Sequence, residues 1–581
     1  MKQKGRKHGP ALAPSLPTGP RTRTLALYVC LGGLILLALV YGPALHGGFV
    51  FDDLNLPFQL TLAATPLAGW LVGARPVLMS TYWANFQLSA NNPFSYHVVN
   101  LLIHALNGAM VFLVLARLLS LAGWARERSR AAALAGSAIF LLHPLATESV
   151  SYIAGRSESL AALFMLAAYT LFLYRREDSW KSALAIAGLF ALGVAAKENA
   201  VALAGVFLLT SWIFPGRPNR RLYAILAPGA AAAIVVVLRS LMHGGNAGFS
   251  IHDFTWYQYT FTQARAIFTY LRLAILPFGQ SVDHDFPISF TIAQHGAWLC
   301  ALALAGLLGL ALGYRRRFPL ACFGLLLFLV LLAPTSSVVP IADALVERRM
   351  YLPLLGLILI GCEAASRVRL SRPAAYSAIA TVLLLFAMLS HERNRLWGDP
   401  EKLLASAALQ APHNPRPVAN LTDTLIAANR CTEALPWLER AERLLPRNYI
   451  IEASWGRALE CTGRREEALT RLERAAALHP AWKIYELIGL LYGEMDRLEP
   501  AGEALRKAIA MEPAAASPHR SLGLWYEAMR DSEGALREYR AALALDPYDE
   551  KARLGLARVQ SSAMAPALHE PGRPLPTAVS P

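Results

Sequence analysis

Charge is scarce in this chain. Only 16% of its 581 residues are charged against 55% hydrophobic, and the mean hydropathy is +0.37, which excludes an ordinary soluble protein of this size. Cysteine is scarce as well, six in all with no CxxC pair, so the paired-cysteine zinc motif is absent. There is no glycine-rich phosphate loop, no defensible Ser-His-Asp order, and no second histidine at helical spacing from the H-P-L-A-T-E run of His143 and Glu148. Acidic residues are outnumbered, 40 to 55, giving a formal net charge of +15. The basic residues are spread over the N-terminal tail, several loops and the C-terminal helical surface. The positive-inside bias of membrane proteins accounts for the first two groups, and no nucleic-acid partner is implied.

What the chain does have is apolar length. Runs near spanning length recur from 24 to 391, and beyond 391 the composition turns to charged, Ala/Leu/Arg/Glu-rich helix. The expected fold is all-α: a polytopic helical bundle followed by a soluble helical domain. The domains expected are a basic cytoplasmic tail (1–23), a membrane domain (24–391) with a first outer loop (46–96), a repeat domain (392–560) and a disordered Pro/Ala-rich tail (561–581). The run 24–45 is longer than a signal-peptide core and lacks a small-x-small cleavage site, so it reads as an anchor helix starting inside. Spans are expected near 24–45, 97–120, 131–148, 158–174, 181–196, 199–214, 221–241, 296–313, 318–334, 351–367 and 374–391, about eleven in all.

The short basic loops at 126–130, 175–176, 217–221, 315–317 and 367–372 belong on the cytoplasmic side. The run 264–278 is short, holds Arg265 and Arg272 and ends in Pro277. As a span it would throw two of those basic loops outside, so it is expected to be interfacial or re-entrant. The N-terminus is then cytoplasmic and the C-terminal domain outside. Asp52 and Asp53, Arg75, His143 with Glu148, Arg156 with Glu158, Lys197-Glu198, Arg265, Arg272, Asp283-His284-Asp285 and Glu347-Arg348-Arg349 all fall on or near one outer face. Charges at that depth mark sites or ion pairs; the plainer alternative for each is a solvated loop charge or a helix-end pair.

Beyond 391, prolines recur at Pro412, Pro446, Pro480, Pro513 and Pro547, with gaps of 34, 34, 33 and 34 residues, the tetratricopeptide (TPR) period. Gly456, Gly489 and Gly523 take the small packing position of successive repeats and Thr422 replaces it in the first. About four helical hairpins with a closing helix at 548–560 are expected. Such an array binds a partner protein or extended peptide and by itself indicates no chemistry. Cys30, Cys300, Cys322 and Cys362 lie in apolar helices as small hydrophobes. Cys431 and Cys461 lie at the turn ends of consecutive repeats on the oxidising side, so they are either a disulfide or two unrelated thiols. Asn420-Leu421-Thr422 is a sequon.

On the outer face, a carboxylate can take the proton of an acceptor hydroxyl as it attacks an activated carbon. Arg or Lys can hold a departing phosphate. These groups suit inverting transfer of a sugar from a polyprenyl-phosphate donor, and composition alone also allows a transporter. The runs F-V-F-D-D, R-P-V-L, Y-W-A-N-F, P-F-S-Y-H-V-V-N-L-L-I-H-A-L-N, L-L-H-P-L-A-T-E-S-V-S-Y-I-A-G-R-S-E, A-A-K-E-N and V-E-R-R-M-Y-L-P are similar in type and order to the transmembrane-and-TPR O-mannosyltransferases and their bacterial relatives. The resemblance covers about 40–560 and implies the GT-C fold of multi-spanning glycosyltransferases, mannose as the sugar and a protein Ser/Thr acceptor held by the TPR domain.

The resemblance also implies roles. Asp52 becomes the general base, with Asp53 assisting or orienting the acceptor or a metal, and mutual repulsion raising the pKa of one of them; the alternative is an acidic helix cap. Arg75 and His97, with Asn100 and His104, shape the first loop. His143, Glu148, Arg156 and Glu158 form the cavity rim. Lys197 and Arg348 or Arg349, ahead of Arg265 and Arg272, hold the lipid-linked phosphate, or else pair with Glu198 and Glu347. A divalent metal is left open, with Asp53, Asp283 and Asp285 as its candidate ligands. The high Ala, Leu and Arg content leans toward a bacterial inner membrane with a periplasmic, or lumenal, TPR domain. A non-catalytic membrane-anchored TPR scaffold is the alternative function.

Overall fold

The computed structural model describes residues 20–56, 66–71, 75–175, 177–215, 219–227, 253–547 and 549–564. Most of the basic tail, part of the first outer loop, most of the expected span 221–241 and the tail from 565 lie outside the described residues. Among the described residues there are helices and no strand. Pro93–Leu121, Arg156–Tyr174, Gln294–Gly313 and Arg372–Trp397 are long and apolar enough to cross a membrane. Arg126–Leu142 and Pro144–Ser151, which meet at a 55° bend, make a fifth when counted as one broken span. Leu31–His46, Trp180–Ala196, Glu198–Ile213 and Pro319–Leu332 are shorter apolar helices. The expectation of eleven spans thus meets four to five helices of full length. The bend falls at the His143-Pro144 step, where proline disfavours helix in the residue before it.

The awkward run 264–278 sits in an amphipathic helix, Trp256–Ile275, begun by a capping box between Thr255 and Gln258. It buries Ala266, Ile267, Tyr270 and Leu273 against Phe328 and Met350 and leaves Trp256 and Ile275 exposed. Elsewhere the bundle is drawn tight by small residues. A Cβ on Gly324 would lie 2.4 Å from the Gly356 carbonyl oxygen, and one on Gly356 would lie 2.3 Å from that of Gly324, so Pro319–Leu332 and Leu354–Arg367 meet backbone to backbone.

The C-terminal part contains helix pairs Pro415–Ala427/Cys431–Leu444, Tyr449–Cys461/Arg465–Leu478, Trp482–Glu494/Leu498–Met511 and Ala516–Ala528/Ser532–Leu545, with Glu550–Met564 closing the row. The glycines are there because the partner helix needs their space. A Cβ on Gly456, Gly489 or Gly523 would lie 2.6, 2.6 or 2.8 Å from Leu472, Leu505 or Tyr539. Thr422, in the first pair, is fully buried and returns its hydroxyl hydrogen to the Val418 carbonyl.

The two parts meet without a long linker. Arg372–Trp397 runs to within three residues of Pro400–Gln410, whose N-cap Asp399 accepts the Lys402 amide. The first outer loop is laid on this junction. A Cβ on Gly47 would lie 2.4 Å from the Trp397 carbonyl oxygen, and one on Gly398 would lie 2.4 Å from that of Pro43.

Candidate functional site

The acidic pair lies in a single 3-10 turn, Phe51–Asn55, and its members face opposite ways. Asp53 is 1% exposed; its oxygens accept the Val50 amide at 3.2 Å and the Ala154 amide at 2.7 Å. Burial pushes its carboxyl up from 3.8 to about 8, against those two amides, while the Asp52 charge adds a lesser push. The rise expected from repulsion is thus mainly one of desolvation. Asp52 is exposed. Its backbone N–H donates to the Tyr152 hydroxyl at 2.9 Å. Phe51 before it holds φ of 51°, uncommon for a bulky residue, and packs edge-on to Tyr152 at 6.1 Å.

Asp52 opens onto a cavity of about 300 Å³ that is also lined by Glu148, Tyr152, Asp283, Asp343, Arg348, Trp397, Arg416 and Asn420. Glu148, 3% exposed, pairs with the Arg348 guanidinium at 2.7 Å and also accepts the Arg348 backbone N–H at 2.9 Å. Tyr152 stacks on Trp397 at 5.7 Å. Arg416 lies between two carboxylates, 2.6 Å from Asp283 and 2.8 Å from Asp343. Burial raises the Asp283 pKa and Arg416 opposes the rise.

Of the residues singled out in the sequence as charged outer-face groups, Asp52, Glu148, Asp283 and Arg348 line this cavity together. Asp53 fastens the loop from behind. Arg156, fully buried, donates to Asn100, Asn85 and the Tyr96 carbonyl at 2.6, 2.9 and 3.0 Å, beneath the Tyr82 ring. His97 bonds the Gly47 carbonyl at 3.2 Å. His143 bonds that of Ala274 at 2.9 Å. Lys197 pairs with Glu158 at 2.5 Å, which leaves Glu198 to Arg75 at 2.9 Å. Glu347 takes His284 rather than either neighbouring arginine, at 2.9 Å. Arg349 donates to the Asp343 carbonyl at 2.7 Å. Arg265 donates to Ser289 and to the Pro287 carbonyl, each at 2.9 Å, and Arg272 to the Phe278 carbonyl, also at 2.9 Å. None of these residues lines the cavity.

The open metal ligands do not converge. Asp53 is taken by amides, Asp283 by Arg416 and Asp285 by His413. Among the described residues no three His, Cys, Asp or Glu side chains are grouped as a metal site. Cys431 and Cys461 are in disulfide contact with their Cα atoms 6.0 Å apart. The Asn420 sequon lies within helix Pro415–Ala427 with Thr422 buried. Tyr152, Asp343, Trp397 and Arg416 were not singled out in the sequence, and Asn420 only as the start of the sequon. Tyr152 stands four residues after Glu148 and so was within reach, whereas Arg416 and Asn420 belong to the repeats and face the cavity only through the docking of the two parts.

A tetratricopeptide repeat family model matches residues 483–514. Mouse protein O-mannosyl-transferase TMTC3 is 23% identical over 590 aligned residues, covering 88% of this chain and 63% of the mouse protein. The human TMTC1 protein is 24% identical over 502, covering 71% of this chain and 54% of its own length. The chain thus spans less than two thirds of the length of these relatives. Among solved structures, a thermophilic TPR protein of Thermus thermophilus is 21% identical over 31% of this chain and 95% of its own, with a TM-score of 0.26. Over most of its length, membrane helices and repeats alike, the chain is a homologue of the proteins named protein O-mannosyl-transferases.

Proposed function

We propose that this chain is an integral-membrane glycosyltransferase that moves mannose from a polyprenyl-phosphate donor to a Ser or Thr hydroxyl of an acceptor protein, with inversion. The observation that carries this is Asp52, an exposed carboxylate with no hydrogen-bond partner among the described residues, in one cavity with the guanidinium of Arg348. The acceptor hydroxyl gives its proton to Asp52 as its oxygen bonds to the sugar C1 from the side opposite the phosphate. The C1–O bond to the phosphate breaks, its electron pair leaves with the phosphate, and Arg348 stabilises the charge. Glu148 orients Arg348 through both its guanidinium and its amide. The names of the relatives support the sugar and acceptor classes.

The test is transfer of labelled mannose in membranes holding the full chain and supplied with polyprenyl-phosphate mannose. Asp52→Asn is expected to lower transfer roughly 10²- to 10⁴-fold, the contribution of a general base, with insertion unchanged. Undiminished transfer by D52N removes Asp52 from the base role. Glycan mass spectrometry of envelope proteins with and without the gene checks the class: loss of a hexose from Ser/Thr peptides is expected. An unchanged glycan profile favours the scaffold reading.

A further inference from the structure

The cavity is walled from two directions. Asp52, Glu148 and Arg348 come from the membrane part, and Arg416 and Asn420 from the first helix of the repeat array. That helix, Pro415–Ala427, begins on an Asn-Pro pair suited to starting it: Asn414 accepts the Arg416 amide as N-cap, and proline fills the first turn. Its start is also fastened to the membrane part. The Asn414 side chain donates to Asp283 at 2.8 Å, and His413 donates its backbone N–H to Asp285 at 3.1 Å and meets the same oxygen through Nδ1 at 2.9 Å. Arg416 holds Asp283 and Asp343 at once.

These anchors lead to Arg348, the cation that the membrane part contributes to the cavity. Between Asp283 and Asp285 stands His284, which reaches Glu347 at 2.9 Å. The Ser281 amide and the Gln280 side chain reach the same carboxylate at 2.7 and 2.8 Å. Glu347 is 1% exposed and directly precedes Arg348. An isolated exposed ion pair stabilises little, but here one guanidinium compensates two carboxylates, one of them only 10% exposed. Without Arg416 the Asp283 carboxylate, on the segment that grips Glu347 through His284, repels that of Asp343, on the segment that carries Glu347 and Arg348.

We propose that the repeat array completes the transfer cavity, with Arg416 as the positioning residue that holds the Asp283 and Asp343 loops together and so fixes Arg348 for the donor phosphate. The array is then part of the site as well as a platform for the acceptor. This rests on the donor class assigned above, and the experiment separates the two.

The probe is polyprenyl phosphate without sugar, bound to the purified full chain in nanodiscs and followed by native mass spectrometry, with mannose transfer measured on the same samples. Arg416→Ala is expected to weaken lipid-phosphate binding about fivefold or more, the lower range of inter-site coupling, and R416D further. The exchange D283R/R416D, which restores one arginine among the carboxylates, is expected to return binding to within about twofold of the unaltered chain. Arg416→Gln serves where R416A fails to insert, with insertion and disulfide closure read on the same preparation. Binding by R416A or R416Q within twofold of the unaltered chain, or an exchange variant no better than R416D, overturns the positioning role. If the unaltered chain binds and the variants follow the expected order while no mannose moves, only the proposed activity falls. If the unaltered chain does not bind, both fall.

Discussion

The backbone N–H of Asp52 donates to the hydroxyl of Tyr152 at 2.9 Å, so Asp52 is held by its main chain while its carboxylate faces the cavity. The same ring carries Phe51 against its edge and Trp397 on its face. Tyr152→Phe keeps both ring contacts and removes the acceptor. Leaving a part-buried amide unpaired costs about 1–3 kcal/mol, and mannose transfer by Y152F is expected to fall about tenfold with polyprenyl-phosphate binding unchanged. Equal transfer by Y152F and the unaltered chain would show that the bond does not set the carboxylate.

Asp53 gives a pH dependence whose sign is fixed. Its carboxyl is raised from 3.8 to about 8 by burial, so the folded state binds the proton more tightly than the unfolded chain. The stabilisation is complete below about pH 4 and is lost as pH rises through about 8. Docking of the 51–55 turn, followed by hydrogen exchange at the Ala154 amide, is expected to loosen between about pH 7 and 9. In Asp53→Asn that transition should be absent. An Asn nitrogen also faces one of the two amides, and the lost bond destabilises by about 1 kcal/mol.

The Glu148 and Arg348 pair is suited to a double-mutant cycle. Removing one partner of a buried pair costs about 3–5 kcal/mol, and less here because Arg348 is 25% exposed at its side chain. Glu148→Ala alone is expected to lower both stability and donor binding, and R348A to lose donor binding most. The double variant E148A/R348A should be more stable than E148A. Additive stabilities would show that the pair carries no coupling.

Gly398 tests the junction at a residue that does not itself line the cavity. A Cβ there meets the Pro43 carbonyl at 2.4 Å, a contact with backbone that cannot step aside. Gly398→Ala is expected to displace the 43–47 segment and lower transfer at least tenfold, with the isolated stability of the repeats, read by their own unfolding transition, unchanged. A fully active G398A would show that the junction yields.

For Cys431 and Cys461, 30 residues apart in sequence, peptide mapping without reductant is expected to recover them as one linked pair. A loop of that length stabilises by about 3–4 kcal/mol on the chain-entropy account. C431S/C461S should therefore unfold its repeats at lower temperature while the membrane part is unaffected. Both thiols recovered free would remove the bond.

The repeats were the most legible part, because a period of 33–34 residues and a glycine under the partner helix in three of the four pairs are local properties of the chain. Asp52, Glu148 and Arg348, far apart in sequence and each singled out from it, line one cavity. Pairing was harder to read. Lys197 and Glu198 are neighbours in sequence, yet Lys197 stands at an extended position before a 3-10 turn, and the two side chains leave in different directions to Glu158 and Arg75. Glu347 likewise turns away from Arg348 and Arg349. Arg156, assigned to the rim, carries its charge into a closed set of amide and carbonyl oxygens. The second wall of the cavity was not legible, because it depends on where one domain lands upon another.

Only a few residues separate Arg372–Trp397 from Pro400–Gln410, and the loop from 43 to 47 is wedged against that joint. A swing of the array would have to break these contacts. If it grips an acceptor chain, the hydroxyls presented to Asp52 lie at a set count of residues from the gripped segment, and the modified positions along a substrate would be spaced as if by a ruler.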